Sequence, residues 1–191
     1  MNQIKKAVDI LKKGGIIAYP TDTVYGLGAN IFNQKAVRKV FQLKGRNFNK
    51  ALSVAVANFQ MIENIVYLSK ENKEFIKKLL PGPLTLILPK KKIVSNLITG
   101  GGELIGIRLP ESEEAIRIIK EAKFPITATS ANLSGKREIT NPEELELNVD
   151  FIVKGTCKYK KPSTVIDLVN RKIIREGAGL KKAKKVLKNF N

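Results

Sequence analysis

The sequence predicts an α/β fold, a twisted mixed sheet flanked by helices, in a single domain over residues 1–191. Three observations carry that reading. Apolar runs of strand length recur along the chain, at 16–19, 52–57, 84–88, 104–109, 124–129 and 164–169. Stretches with apolar residues at helical spacing lie between them, most opened by a capping side chain. No linker, repeat or low-complexity segment interrupts the alternation, so one layered core accommodates it. A chain of this length buries roughly 70% of its unfolded surface and needs no metal or disulfide to hold it together.

The elements follow in order. Residues 1–13 place Ile4, Ala7, Val8 and Leu11 on one helical face, and Gly14-Gly15 ends that helix before the strand 16–19. Asn33 caps a helix over 34–43, which delivers Lys44-Gly45-Arg46 onto a loop. Residues 52–57 form a buried strand, and Asn58 and Ser69 cap the next two helices until Pro81-Gly82-Pro83 stops the second. A strand at 84–88, a basic turn at 90–92 and a flexible Gly100-Gly101-Gly102 lead to the strand 104–109. Pro110 and Ser112 open a helix carrying Ala115, Ile116 and Ile119, and a strand at 124–129 ends in Ser130-Ala131-Asn132. Asn141-Pro142-Glu143-Glu144 reads as a helix start, with a cap, a proline in the first turn and acids after it. Strands at 151–153, 164–169 and 172–175 precede a basic helix from about Leu180.

Composition excludes several chemistries. The chain has no histidine, which removes Ser-His-Asp and Cys-His catalysis, histidine-ligated zinc and a histidine base together. Cys157 is the one cysteine, so an internal disulfide is impossible and a cytoplasmic setting is expected. No apolar run approaches the roughly 20 residues of a membrane span. Lysine and arginine number 35 against 17 acids, a surplus of +18 that attracts polyanions such as nucleotides or RNA. A lysine-rich proteome gives the same surplus without any function.

The centre of the sequence is Tyr19-Pro20-Thr21-Asp22-Thr23-Val24-Tyr25-Gly26-Leu27-Gly28, where a short strand runs into hydroxyls, a carboxylate and two glycines. Strand ends of α/β sheets hold ligands, although satisfied turn hydroxyls explain such residues as well. Neither the three-glycine dinucleotide fingerprint nor a Gly-Lys-Ser/Thr loop is present, so a nucleotide site here is built differently. Lys44, Arg46 and Lys50 make a cationic loop suited to phosphates. Ser130 and Asn132 sit at a strand end. Arg108 and Arg175 lie inside apolar strands, where a guanidinium needs an anion, either a ligand or a structural partner such as Asp167 or Glu176.

The ten-residue string, Lys44-x-Arg46, Thr129-Ser-Ala-Asn132 and Pro162-Ser-Thr-Val-Ile-Asp167 together resemble the YrdC-like family of threonylcarbamoyl-AMP synthases, in order from about Gly14 to Gly179. The resemblance implies a twisted mixed sheet around a basic cavity. It also implies a nucleotidyltransferase that joins L-threonine, bicarbonate or CO2, and ATP with its Mg2+ into threonylcarbamoyl-AMP, releasing pyrophosphate, with no protein-bound metal. Other proteins then transfer the threonylcarbamoyl group to tRNA. By matching motif, Thr23, Arg108 and Ser163 are threonine contacts, Arg46, Lys50, Ser130 and Arg175 are ATP contacts, and Lys44 and Asn132 complete the catalytic set with Arg46 and Ser130. Asn47 and Ala51 replace frequent prolines, Ala55 replaces a histidine of two-domain relatives, and Leu104 replaces a polar residue. Asp22, a neutral Lys44 and bulk water are all open as acceptors of the threonine ammonium proton. The carbamoyl-adenylate domain of hydrogenase-maturation carbamoyltransferases is a second reading, and an RNA-binding or ribosome-assembly factor using the basic cavity without catalysis is a third.

Overall fold

The computed structural model describes residues 2–188. In chain order they form α1 (Gln3–Lys12), β1 (Ile17–Tyr19), β2 (Gly26–Gly28), α2 (Gln34–Lys44), β3 (Ser53–Ala55) and α3 (Phe59–Ile65). Then come α4 (Lys70–Leu79), β4 (Leu84–Pro89), α5 (Asn96–Thr99), β5 (Leu104–Arg108), α6 (Glu113–Ala122), β6 (Ile126–Thr127) and β7 (Thr129–Ser130). A single 3-10 turn at Pro142–Glu144, β8 (Phe151–Ile152), β9 (Thr164–Asp167), β10 (Lys172–Arg175) and α7 (Leu180–Lys188) complete the fold.

Helix starts are set by short side chains that accept an orphan backbone N–H. Asn33 accepts from Ala36, Asn58 from Met61, Ser69 from Asn72 and Ser112 from Ala115. Each helix then buries one stripe. Ile4, Ala7, Val8 and Leu11 of α1 meet Ala115, Ile118, Ile119 and Ala122 of α6 in one cluster, which also takes Ile17 and Tyr19. A larger cluster gathers Val37, Val40 and Phe41 of α2, Phe75, Ile76 and Leu79 of α4, and the inner faces of β4, β5 and β9.

The sheet is mixed, as expected, but it is two sheets. One runs β7-β2-β1-β8 and the other β10-β9-β4-β5-β3-β6. Parallel pairs join β1 to β8, β3 to β5 and β4 to β9, and the remaining neighbours are antiparallel. The expected strand 124–129 is divided: Ile126 and Thr127 pair with β3, whereas Thr129 and Ser130 pair with β2. The chain therefore crosses between sheets at Ala128. The helix expected after Asn141 is only the 3-10 turn, and α5, capped by Ser95, fills residues between the basic turn and the Gly100–Gly102 break to which the sequence assigns no element.

The glycines of the central string are strand residues. Gly26 and Gly28 lie in β2 against Tyr19 and Ile17 of β1, and Tyr19 donates from its hydroxyl to the Thr127 carbonyl. A Cβ on Gly28 would sit 3.0 Å from Ile17, 3.1 Å from the Tyr19 ring and 3.2 Å from Ile126, all fully buried. These glycines make room for a ring. Gly28→Ala should accordingly destabilise the fold by about 1–3 kcal/mol through overpacking, read as a lower urea midpoint with an unchanged slope.

Candidate active site

Residues from both sheets wall a cavity of about 170 Å³. Its floor follows from register. Ser53 of β3 lies opposite Gly106 of β5, Ala55 lies opposite Arg108, and Leu86 of β4 pairs with Ile107, which puts Thr85 beside Arg108. Side chains alternate along a strand, so Gly106 and Arg108 share the face that Ser53 and Thr85 also present to the cavity. A Cβ on Gly106 would come within 2.9 Å of Ser53 Oγ and 3.1 Å of the Thr85 methyl. Glycine keeps that floor open.

Thr23, from the loop joining β1 to β2, forms part of the wall. Thr21 Oγ1 organises this loop: it donates to the Val24 carbonyl at 2.7 Å, lies 2.9 Å from Thr23 Oγ1 and accepts the Thr23 N–H. Asp22, between them, turns away from the cavity. Its side chain is fully buried and takes a 2.6 Å bond from Arg108 Nη2. Burial pushes the Asp22 carboxyl up, and the Arg108 guanidinium pulls it back down. Asp22 Oδ2 and Arg108 Nε are both buried without a hydrogen-bond partner.

On the opposite wall Ser163 Oγ lies 2.7 Å from Thr85 Oγ1, and Arg175 directs Nε and Nη2 to the Ser163 carbonyl at 3.2 and 2.9 Å. The backbone makes that contact possible. Ser163 and Ala178 form a parallel bridge, and a Cβ on Gly177 would come within 2.2 Å of the Pro162 carbonyl, so only glycine fits. Arg46 curls over its own loop, donating from Nη2 to Ala51 O at 2.8 Å, and its guanidinium also lines the cavity. Arg46, Arg108 and Arg175 thus face a space that contains one carboxylate, Glu138.

Lys44 is not on the loop. It is the last residue of α2, 2% exposed, and its ammonium donates to the carbonyls of Ser130 and Asn132, both at 2.5 Å. Its own carbonyl accepts from Ser134 N–H. Burial, with Arg46 nearby, lowers its pKa from 10.5 to about 8. Asn132 donates from Nδ2 to the carbonyls of Leu133 and Lys136 at 2.9 and 2.6 Å, so it closes the turn after Ser130. It lines a neighbouring cavity of about 280 Å³ that meets the first at Glu138.

The family model described as Sua5_yciO_yrdC, telomere recombination, matches residues 9–177. The chain belongs to the Sua5/YciO/YrdC family. A relative from Methanocaldococcus jannaschii is 44% identical over 91% of this chain and 86% of its own length. The threonylcarbamoyl-AMP synthase of Pyrococcus abyssi is 38% identical over 87% of this chain, which spans about half of that protein, 51%. The structure of P. abyssi Sua5 complexed with L-threonine superposes with a TM-score of 0.89 at 36% identity, over 96% of this chain and 56% of that one.

Set against the family motifs, the cavity brings together Thr23, Arg46, Arg108, Ser130, Ser163 and Arg175. Lys50 is exposed and outside the lining, and Lys44 and Asn132 act on backbone. The structural partners considered for the strand arginines were misplaced: Asp167 accepts from Val169, Asn170 and its side chain, and Glu176 pairs with Lys184. Arg108 instead meets Asp22, the carboxylate of the central string, 86 positions away and not tied to Arg108 by any local pattern. Ser53, Thr85 and Glu138 were missed. Each is an ordinary polar residue whose place is set by register or by a turn, and Ser53 and Thr85 carry a signal in the sequence, each as a hydroxyl in an apolar strand. Among the described residues no three acidic or cysteine side chains converge to hold a metal ion, and no helix is long and apolar enough to cross a membrane.

The Lys44 contacts make a prediction different from that of a surface loop. Lys44→Met leaves two carbonyls without their donor and should cost about 1–3 kcal/mol in chemical denaturation. The folded pKa lies below the unfolded one, so between about 8 and 10.5 the unfolded chain binds more protons and stability from this residue rises with pH. The gap in melting temperature between wild type and Lys44→Met should therefore widen as pH is raised through that window. A gap that narrows would show that Lys44 is not held in a desolvated site.

Proposed function

We propose that this chain is a nucleotidyltransferase that makes threonylcarbamoyl-AMP from L-threonine, bicarbonate or CO2, and ATP, releasing pyrophosphate, for threonylcarbamoyladenosine in tRNA. The observation that carries this is the convergence of Arg46, Arg108 and Arg175 on one cavity with a single carboxylate in its lining. Such a cavity is a receptor for more than one anion at once, and the reaction has two: the threonine carboxylate with its carbamate, and the triphosphate. The names of the relatives and the threonine-bound P. abyssi structure support the same assignment.

In this reading Arg108, Thr23 and Ser163 hold threonine, with Thr85 fixing the Ser163 hydroxyl. Arg46, Ser130 and Arg175 hold the phosphates, and Lys50 reaches them from the solvent side. Lys44 and Asn132 shape the turn that presents Ser130. ATP enters with its Mg2+, since one carboxylate, Glu138, is too few oxygens to bind the ion alone. The threonine amine adds to CO2 and loses a proton, the carbamate oxygen attacks the α-phosphorus, and the bond to the β-phosphate oxygen breaks as pyrophosphate leaves. The arginines reduce the repulsion between carbamate and phosphate and fix the line of attack, which is most of what this chemistry requires. Asp22 and Lys44 both face away from the cavity, which leaves water and Glu138 to take the ammonium proton. Threonine, ATP and tRNA meet in the cytoplasm, where we expect the product to pass to a threonylcarbamoyl transferase. The lysine-rich surface is the part suited to any RNA contact.

Pyrophosphate release from ATP should require L-threonine and bicarbonate together, and Arg46→Ala should lower it by more than about tenfold, the loss of one charge-assisted phosphate contact. Serine should be a poorer substrate by about 1–3 kcal/mol, the discrimination available from one methyl group. Equal release with ATP alone would make the chain an ordinary ATP hydrolase, and salt-sensitive RNA binding with no turnover would favour the non-catalytic reading.

A further inference from the structure

Arg108 lines the cavity, but its position is decided by a residue that does not. Asp22 has a fully buried side chain, is absent from the cavity wall, and bonds Arg108 Nη2 at 2.6 Å. The fork is half made: the neighbouring donor, Arg108 Nε, and the second acceptor, Asp22 Oδ2, are both buried and unpaired. A buried ion pair of imperfect geometry contributes little net stability over well-packed apolar residues, because desolvation of the two charges offsets their attraction. Fold stability alone does not account for this pair.

What the pair does account for is the position of a guanidinium on a long, rotatable stem. Asp22 is the fixed end. Its carbonyl accepts from Tyr159 N–H at 2.8 Å, the Pro20 carbonyl before it accepts from Ser112 Oγ at 3.1 Å, and Thr21 Oγ1 ties the residues after it. Asp22 belongs to the β1–β2 loop of one sheet and Arg108 to β5 of the other, so the bond sets the distance between Thr23 and Arg108 across the cavity. Ala55, beside Arg108 in register, has no polar group with which to orient it.

We infer that Asp22 is a positioning residue for the amino-acid substrate: it anchors one edge of the Arg108 guanidinium so that the remaining N–H groups receive the substrate carboxylate, and it never touches the substrate itself. This rests on the threonine reading of the cavity and adds the group that sets carboxylate recognition. An anchored cation keeps its orientation before the substrate arrives, so Asp22 acts on threonine affinity more than on the chemical step.

Pyrophosphate release by wild type and Asp22→Asn, an isosteric change, tests this, with L-threonine and ATP titrated separately and folding followed by circular dichroism. The KM for L-threonine should rise about tenfold or more, while the KM for ATP and kcat at saturating threonine stay within about twofold. The same variant should bind L-threoninamide, which lacks the carboxylate, as well as wild type does when the amide is used as a competitor. An unchanged threonine KM, or equal losses for threonine, threoninamide and ATP, would overturn the inference and leave Asp22 a structural residue. If Asp22→Asn does not fold, Asp22→Glu keeps the charge but displaces the carboxylate by one methylene, and the threonine-selective loss should appear there. A wild-type chain without threonine-dependent release would overturn the function itself, and the inference with it.

Discussion

The structure depends on a polar face buried between two sheets. Burying polar groups is costly unless each finds a partner, and here the partners come from across the divide. Asp22 of one sheet's loop holds Arg108 of the other, Tyr19 of β1 donates to the Thr127 carbonyl, and Thr127 Oγ1 donates to the Leu27 carbonyl while accepting from Ala29 N–H. The crossing at Ala128 makes this possible, because Thr127 belongs to one sheet and Thr129 to the other. A cavity at such a junction is open to ligand, and the part of its wall made by Ser53, Thr85, Arg108, Thr129, Ser130 and Arg175 stands on strands, which hold side chains more firmly than loops do.

Two kinds of residue therefore stand behind the same motif. Thr23, Arg46, Arg108, Ser130, Ser163 and Arg175 present groups to the cavity. Lys44, Asn132 and Asp22 spend theirs on the protein. Lys44 joins the C-terminal end of α2 to the turn after β7 through both its ammonium and its carbonyl, and this end of a helix, with its partial negative charge, suits a cation. A motif match marks both kinds alike, since loss of either disturbs the site, and only geometry separates contact from support.

That distinction also describes what was legible in the sequence. Helix caps act within three residues of themselves, so Asn33, Asn58, Ser69 and Ser112 were readable, as was the buried face of α1. The strand core at 104–109 was readable because Leu104, Ile105, Ile107 and Leu109 crowd a segment of strand length around a single charge, Arg108. The division of 124–129 was not, since pairing partners lie far away in sequence and both halves have strand-like composition. Asn141 caps its turn as expected, yet the apolar residues that follow, Leu145, Leu147 and Val149, alternate along the chain instead of recurring at helical spacing, and the turn goes no further. The glycines of the central string follow a strand end in the sequence, with nothing local to mark them as a second strand, and in the fold they are residues of β2 that leave space for Tyr19. The apolar stripe of α2 ends at Leu43, which puts Lys44 on a loop by sequence, but the helix runs one residue further, and that single position separates an exposed cation from a buried one.

Net charge illustrates the same limit from the other side. The +18 surplus suggests a field that attracts polyanions, but most of it is spread over helix surfaces, and part is already engaged locally. Lys182 of α7 donates to the Leu79 carbonyl, Lys184 pairs with Glu176, and Lys73 of α4 pairs with Glu63. Exposed pairs of this sort contribute little to stability, and screening confines the field of exposed charges to about 8–10 Å at ordinary salt. Of the three cavity arginines Arg108 is buried, Arg46 half-buried and Arg175 exposed, so only Arg108 is shielded from such screening by burial. What sets the cavity apart from the basic surface is the convergence of three guanidiniums around one carboxylate, not the composition of the chain.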